Sequence, residues 1–325
     1  MSLGKPPSLN KPAAIKKPST LASSWGSLAA LLGMSSAIGY TLSNICLRSV
    51  MEVDPFWVTT VKTAPTTLLA LPWMMQLRGR GIPLAPRGSG GSLVWLIGAA
   101  ILGQLGGNVA LQWSLHVIGL ALAVPLLMGC LVFSGAVLGW IMLGERAGWL
   151  NMLAIATLAI AIAVLSLGAR SANAKLHLEE ISTAMVIWGV LAACLAGVSY
   201  AVLGVAIRNC VSRRVPAPVA LFVVSMTGVM IVGGAAWQRL GWQQMLDTPA
   251  DLFTNMFLAG VWNALAFVAL TKALQIAPLY YTNALNASQT AMSSLAGVFL
   301  FGEAASPALV LGVALTLVGL ALIRK

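Results

Sequence analysis

Apolar stretches of about 20 residues follow one another from residue 27 almost to the end of the chain, and no other feature constrains the fold as strongly. Each is long enough to cross a hydrocarbon layer of ~30 Å as a helix, where every backbone N–H and C=O must find an internal partner. Ten are placed, at 27–47, 55–76, 92–115, 119–143, 148–168, 183–207, 216–237, 252–274, 279–301 and 306–323. They are continuous and do not alternate with a period of two, so helices are expected and barrel strands are not. With 59% hydrophobic and 8% charged residues, the 325-residue chain lacks the polar surface to coat a soluble globule. The expected fold class is therefore an all-α polytopic membrane protein.

The ten runs fall into two sets of five. Residues 110–145 return in altered form at 269–303: Ala110 and Leu115 match Ala269 and Leu274 at an offset of 159, and Gly144-Glu145 matches Gly302-Glu303 at 158. In the same way Tyr40 and Arg48 match Tyr200 and Arg208 at 160. Five helices is an odd number, so the second copy enters the membrane from the opposite side, and the pattern reads as two inverted five-helix repeats. The expected organisation is a disordered cytoplasmic tail at 1–24, a first repeat at 25–168, an extracytoplasmic linker at 169–182 and a second repeat at 183–325.

Charge placement fits that topology. With a cytoplasmic N-terminus, fourteen of the nineteen Lys and Arg residues fall on the inside and four outside, with Lys62 alone inside an apolar run. This is the positive-inside asymmetry of a protein with both termini in the cytoplasm. A net charge of +11 held in short segments between apolar runs orients a membrane protein and does not suggest nucleic-acid binding. Cys46, Cys130, Cys194 and Cys210 have no CxxC spacing and read as packing residues, and His116 and His177 are isolated. No catalytic residue, metal ligand or cofactor motif is expected, and the protein is read as a non-enzyme.

The chemistry that remains is a set of polar side chains on otherwise apolar helices. In the ninth run Thr282, Asn286, Gln289 and Ser293 are spaced by four, three and four and form one stripe, whereas the fourth run has Leu127, Cys130 and Ser134 on the matching face. That asymmetry favours substrate contact over interhelical glue, which alone would call for similar polarity in both copies. In the first run Ser36, Tyr40, Ser43 and Asn44 make a second stripe, of which the sixth keeps only Tyr200. The serines read as packing residues, and Tyr40, Asn44 and Tyr200 as the better candidates. Gln104 and Asn263 are equivalent at an offset of 159, with Trp262 and Asn255 placed on the face of Asn263. Two readings fit this amide pair: a site at the repeat interface, or a tie between neighbouring helices. Lys62 also has two readings, a cavity-facing ammonium that binds an anion and a side chain that snorkels outward. Glu145 and Glu303 end the fourth and ninth runs and are expected to cap or pair locally as solvated carboxylates. The substrate-binding candidates are thus Tyr40, Asn44, Lys62, Gln104, Tyr200, Trp262, Asn263, Thr282, Asn286 and Gln289.

The two copies ending in Gly-Glu, each followed by a short apolar helix, resemble the EamA-type members of the drug/metabolite transporter superfamily, and the resemblance runs through everything after the tail. It implies a ten-helix transporter in which helices one to four and six to nine surround a central cavity, with five and ten peripheral. It further implies a multi-pass protein of the bacterial inner membrane, monomeric or homodimeric, whose partners are the lipid bilayer and a small-molecule substrate. Export or exchange by alternating access is the implied function, with amino acids as first substrate class; purines, nucleosides or anionic metabolites are the alternative, and a channel or membrane scaffold the alternative of another class. One departure stands out: Ala304-Ala305 and Pro307 occupy positions where the first copy has Arg146 and Trp149.

Overall fold

The computed structural model describes residues 21–144, 148–150, 152–154, 156–157, 160–161, 163–165, 182–286 and 288–322, and among these every regular element is a helix. The tail up to residue 20, Glu145 and nearly all of the 169–182 linker lie outside the described residues. In chain order the helices are α1 Leu21–Arg48, α2 Pro55–Gly79, α3 Gly90–Ile118, α4 Leu120–Leu143, α5 Thr183–Ser212, α6 Ala217–Leu246, α7 Ala250–Ile276, α8 Leu279–Asn286, α9 Gln289–Phe301 and α10 Pro307–Leu322. Six of them contain spans long and apolar enough to cross a membrane, in α1, α3, α4, α5, α6 and α7. That is the make-up of a multi-pass membrane protein. Helical residues also recur between 149 and 165, within the expected fifth run.

Local sequence explains most helix ends. Asp54 caps α2 by accepting from the backbone N–H of Phe56 at 2.9 Å and of Trp57 at 3.3 Å, with Pro55 at the first helical position where its missing N–H is harmless. The glycine of each Gly-Glu pair ends its helix: Gly144 closes α4 at φ 69° and Gly302 closes α9 at φ 65°, the left-handed cap that glycine adopts without a Cβ penalty. The recurring Gly is thus a helix stop.

Two expectations need correction. The run at 279–301 is not one helix but two, α8 and α9, with Ser288 in a turn before α9. Side chains take the place of backbone partners there: Ser288 Oγ donates to the carbonyl of Leu285 at 2.8 Å, and Gln289 Nε2 to that of Asn286 at 3.2 Å. Also, α1 begins at Leu21, inside the segment expected to be tail.

Each of the first four helices packs mainly on the second half: α1 on α7, α2 on α6, and both α3 and α4 on α5. The core therefore lies along the seam between the halves, where Leu115, Leu120, Leu122 and Leu126 are fully buried. α3 crosses α5 through a π-helical segment, Gly103–Val109. At Gly107 a Cβ would sit 2.5 Å from the Tyr200 ring, so only glycine lets α3 come this close.

Candidate functional site

The seam opens into a cavity of about 110 Å³ between the halves, lined by residues from both. At roughly 10–15 Å³ for each water, this is room for about eight waters or a small organic solute. Its polar lining comprises Tyr40 and Asn44 of α1; Lys62, Thr63 and Thr66 of α2; Gln104 and Asn108 of α3; Tyr200 of α5; Ser225 of α6; Asn263 of α7; Asn283 and Asn286 of α8; and Gln289 of α9. Leu127, Met128, Leu131 and Phe267 supply apolar wall.

On one wall the polar groups form a single chain of bonds. Lys62 Nζ donates to Asn108 Oδ1 at 2.7 Å, and the Tyr200 hydroxyl donates to the same oxygen at 2.7 Å. Asn108 Nδ2 then donates to Gln104 Oε1 at 2.7 Å, and Gln104 Nε2 to the backbone carbonyl of Val224 at 2.7 Å. Asn108 is at the end of the π-helical segment and within a turn of Gln104, so both amides face the cavity from one stretch of α3. Lys62 is 4% exposed, which corrects the snorkelling reading: its ammonium is held inside.

The facing wall joins the two sequence stripes. Ser36 Oγ donates to Asn286 Oδ1 at 3.0 Å, and Asn44 Nδ2 donates to Gln289 Oε1 at 3.3 Å. Asn286 ends α8 and Gln289 begins α9, and both line the cavity. They tie helices together and line the cavity at once.

Eight of the ten candidates line this cavity: Tyr40, Asn44, Lys62, Gln104, Tyr200, Asn263, Asn286 and Gln289. Trp262 does not, and is 36% exposed on the outside of α7. Successive helical residues point about 100° apart, so with Asn263 turned inward its neighbour turns away. Thr282 is fully buried but away from the cavity, its hydroxyl returned to the carbonyl of Pro278 at 3.1 Å. Asn108 and Asn283 are cavity amides that the sequence reading missed.

Glu303 also departs from expectation. It is 5% exposed and pairs with Arg48 Nε at 2.7 Å, an ion pair from opposite ends of the chain. Its two oxygens accept the first N–H groups of α4, Leu120 at 2.8 Å and Ala121 at 2.6 Å. A carboxylate at a helix N-terminus meets both the unpaired donors and the positive end of the dipole. Gly119, at φ 78°, and Gly297 leave room for it. This clamp locks the end of α1 and the start of α4 to the segment after α9.

Chemically the cavity offers donors, acceptors and one cation. No group of three or more His, Cys, Asp or Glu residues able to hold a metal occurs among the described residues. The arrangement is suited to binding a small polar solute.

Comparisons with known proteins agree with this architecture. A Bacillus subtilis (strain 168) protein described as the uncharacterized transporter YwfM is 27% identical over 206 residues, 63% of this chain; the matched stretch spans about 64% of that protein's length. A solved crystal structure, 19% identical, superposes with a TM-score of 0.61 over 91% of this chain and 96% of that one, a likeness of fold. Residues 187–325 match the EamA-like transporter family. The second half of this chain thus matches an EamA-like transporter domain, consistent with the drug/metabolite transporter superfamily.

Proposed function

We propose that the protein is a carrier that moves a small polar or amphipathic metabolite across the bacterial inner membrane by alternating access. The observation that carries this reading is the cavity between the halves, lined by polar groups from both and holding a buried ammonium. Ten spans in two inverted repeats, with both termini cytoplasmic, complete the proposal. The packing of every first-half helix from α1 to α4 on the second half supports it, since rocking of two halves about a shared site requires such a seam. The Arg48–Glu303 clamp then closes one end and must part when the carrier opens on that side. Amino acids are the first class to test, because amide, hydroxyl and aromatic groups with one cation suit a carboxylate on an apolar side chain.

A thermal-shift screen on purified protein tests the site, since a ligand selective for the native state raises its stability by mass action. Amino acids, nucleosides and sugar phosphates make up the set, and a hit among nucleosides alone would move the assignment to the alternative class. Two contrasts then locate the binding. Asn286→Ala is expected to weaken binding of the hit by about tenfold, the worth of one good polar contact at ~1.4 kcal/mol. Ser36→Ala removes only the bond to Asn286 from outside the cavity, so it should lower stability by about 1 kcal/mol and leave affinity within about threefold. Equal loss of affinity in both would reduce Asn286 to a helix tie. Trp262→Ala should leave affinity unchanged, and a tenfold loss there would show that the site lies elsewhere.

A further inference from the structure

The charge of the cavity goes further than the carrier reading on which this inference rests. Lys62 is the one charged residue in the lining, and it is buried. Its only partner among the described residues is the neutral oxygen of Asn108, which leaves two of the three ammonium donors uncommitted. Asn108 Oδ1 already accepts from Tyr200 as well, so both its lone pairs are taken and it gives Lys62 nothing further. Among the described residues no carboxylate pairs with it: Asp54 caps α2 and pairs with Arg239, and Glu303 pairs with Arg48. A buried ammonium without a counter-ion is strongly disfavoured.

The facing wall is neutral. Asn286 Oδ1 accepts from Ser36 and Gln289 Oε1 from Asn44, so these oxygens are neutral acceptors, and among the described lining residues none supplies an anion for a substrate ammonium. We infer that the cavity is an organic-anion site: it takes a monocarboxylate, with the carboxylate on Lys62 Nζ and the apolar part against the leucine and phenylalanine wall. An amino acid of the same skeleton binds more weakly, because its ammonium enters a site that already holds one. The matched amine is excluded.

The test uses binding to the purified, full-length protein, with short-chain, branched and aromatic monocarboxylates, each beside its amide, its amino-acid counterpart and its amine. For the aromatic member these are 3-phenylpropionate, 3-phenylpropionamide, phenylalanine and phenethylamine. At least one carboxylate should bind ten or more times tighter than its amide, with its amino acid between and its amine undetected. Asn108→Asp changes no volume and places an acid 2.7 Å from Lys62 Nζ, so it should abolish the carboxylate preference while the protein stays folded. Lys62→Met should do the same, and Lys62→Arg should retain the preference. The inference is overturned if the amino acids or amines bind as tightly as the carboxylates, if no carboxylate in the set binds, or if the preference survives in both Asn108→Asp and Lys62→Met. Exchange across liposomes separates this from the carrier reading: carboxylate binding without exchange removes the carrier and keeps the site, and exchange without charge preference does the reverse.

Discussion

Glu303→Ala is expected to destabilise the folded protein by about 3–5 kcal/mol, the usual effect of removing one member of a buried ion pair. The argument is local. Arg48 is 6% exposed and would keep its charge in a site built around a carboxylate. The N–H groups of Leu120 and Ala121 would lose their acceptor at the start of α4. The Arg48→Met, Glu303→Met double variant removes both charges and should recover most of the loss. A residue of about 1 kcal/mol should remain for the missing cap. Thermal unfolding midpoints and the yield of monodisperse protein read both effects. Wild-type stability of Glu303→Ala would show that the pair is not buried as described.

The second large effect is expected at Gly197, where α5 lies against α4. A Cβ there would meet the carbonyl oxygen of Leu127 and sit 2.7 Å from the Cβ of Cys130 and 2.9 Å from the backbone N of Leu131. The obstacles are mostly main chain, which cannot rotate aside as a side chain can, so the helices must separate. Overpacking of this kind costs about 1–3 kcal/mol and more when backbone has to move. Gly197→Val is therefore expected at or above the top of that range, with Gly197→Ala nearer the bottom. Gly98→Val is the control, since nothing lies within 4 Å of its Cβ and it should fall within about 0.5 kcal/mol of wild type. Equal stability of Gly197→Val and Gly98→Val would contradict the close α4–α5 crossing.

The membrane class was legible because it depends on run length and hydropathy alone, which folding does not alter. Most cavity residues were legible for a related reason: polar groups are expensive in lipid, so Lys62, Asn44 and Asn286 had to turn inward. What escaped was backbone detail. Asn108 sits in the glycine-rich stretch GQLGGNV, four residues after Gln104 and on the same helix face, and both line the cavity from the π-helical segment. The pair of amides four residues apart among glycines was the available signal. The turn at Ser288 was hidden by the overall hydrophobicity of 279–301, although Asn286, Ser288 and Gln289 all compete for backbone partners. Trp262 turns outward because adjacent helical residues point about 100° apart, so a residue beside an inward Asn263 does not share its face. The Arg48–Glu303 clamp joins residues 255 apart, beyond any periodicity, yet both residue types recur in each half at matching positions.

The central claim is that the cavity works as a carrier site, and counterflow across liposomes holding the purified protein tests it most directly. With one side loaded with an unlabelled solute found to bind, uptake of the labelled solute should be saturable and accelerated by the load, and Lys62→Met should depress it for carboxylates. Flux that rises linearly with concentration and ignores the load would make the protein a channel. Uptake no greater than in protein-free liposomes, for every solute that binds, would contradict transport altogether.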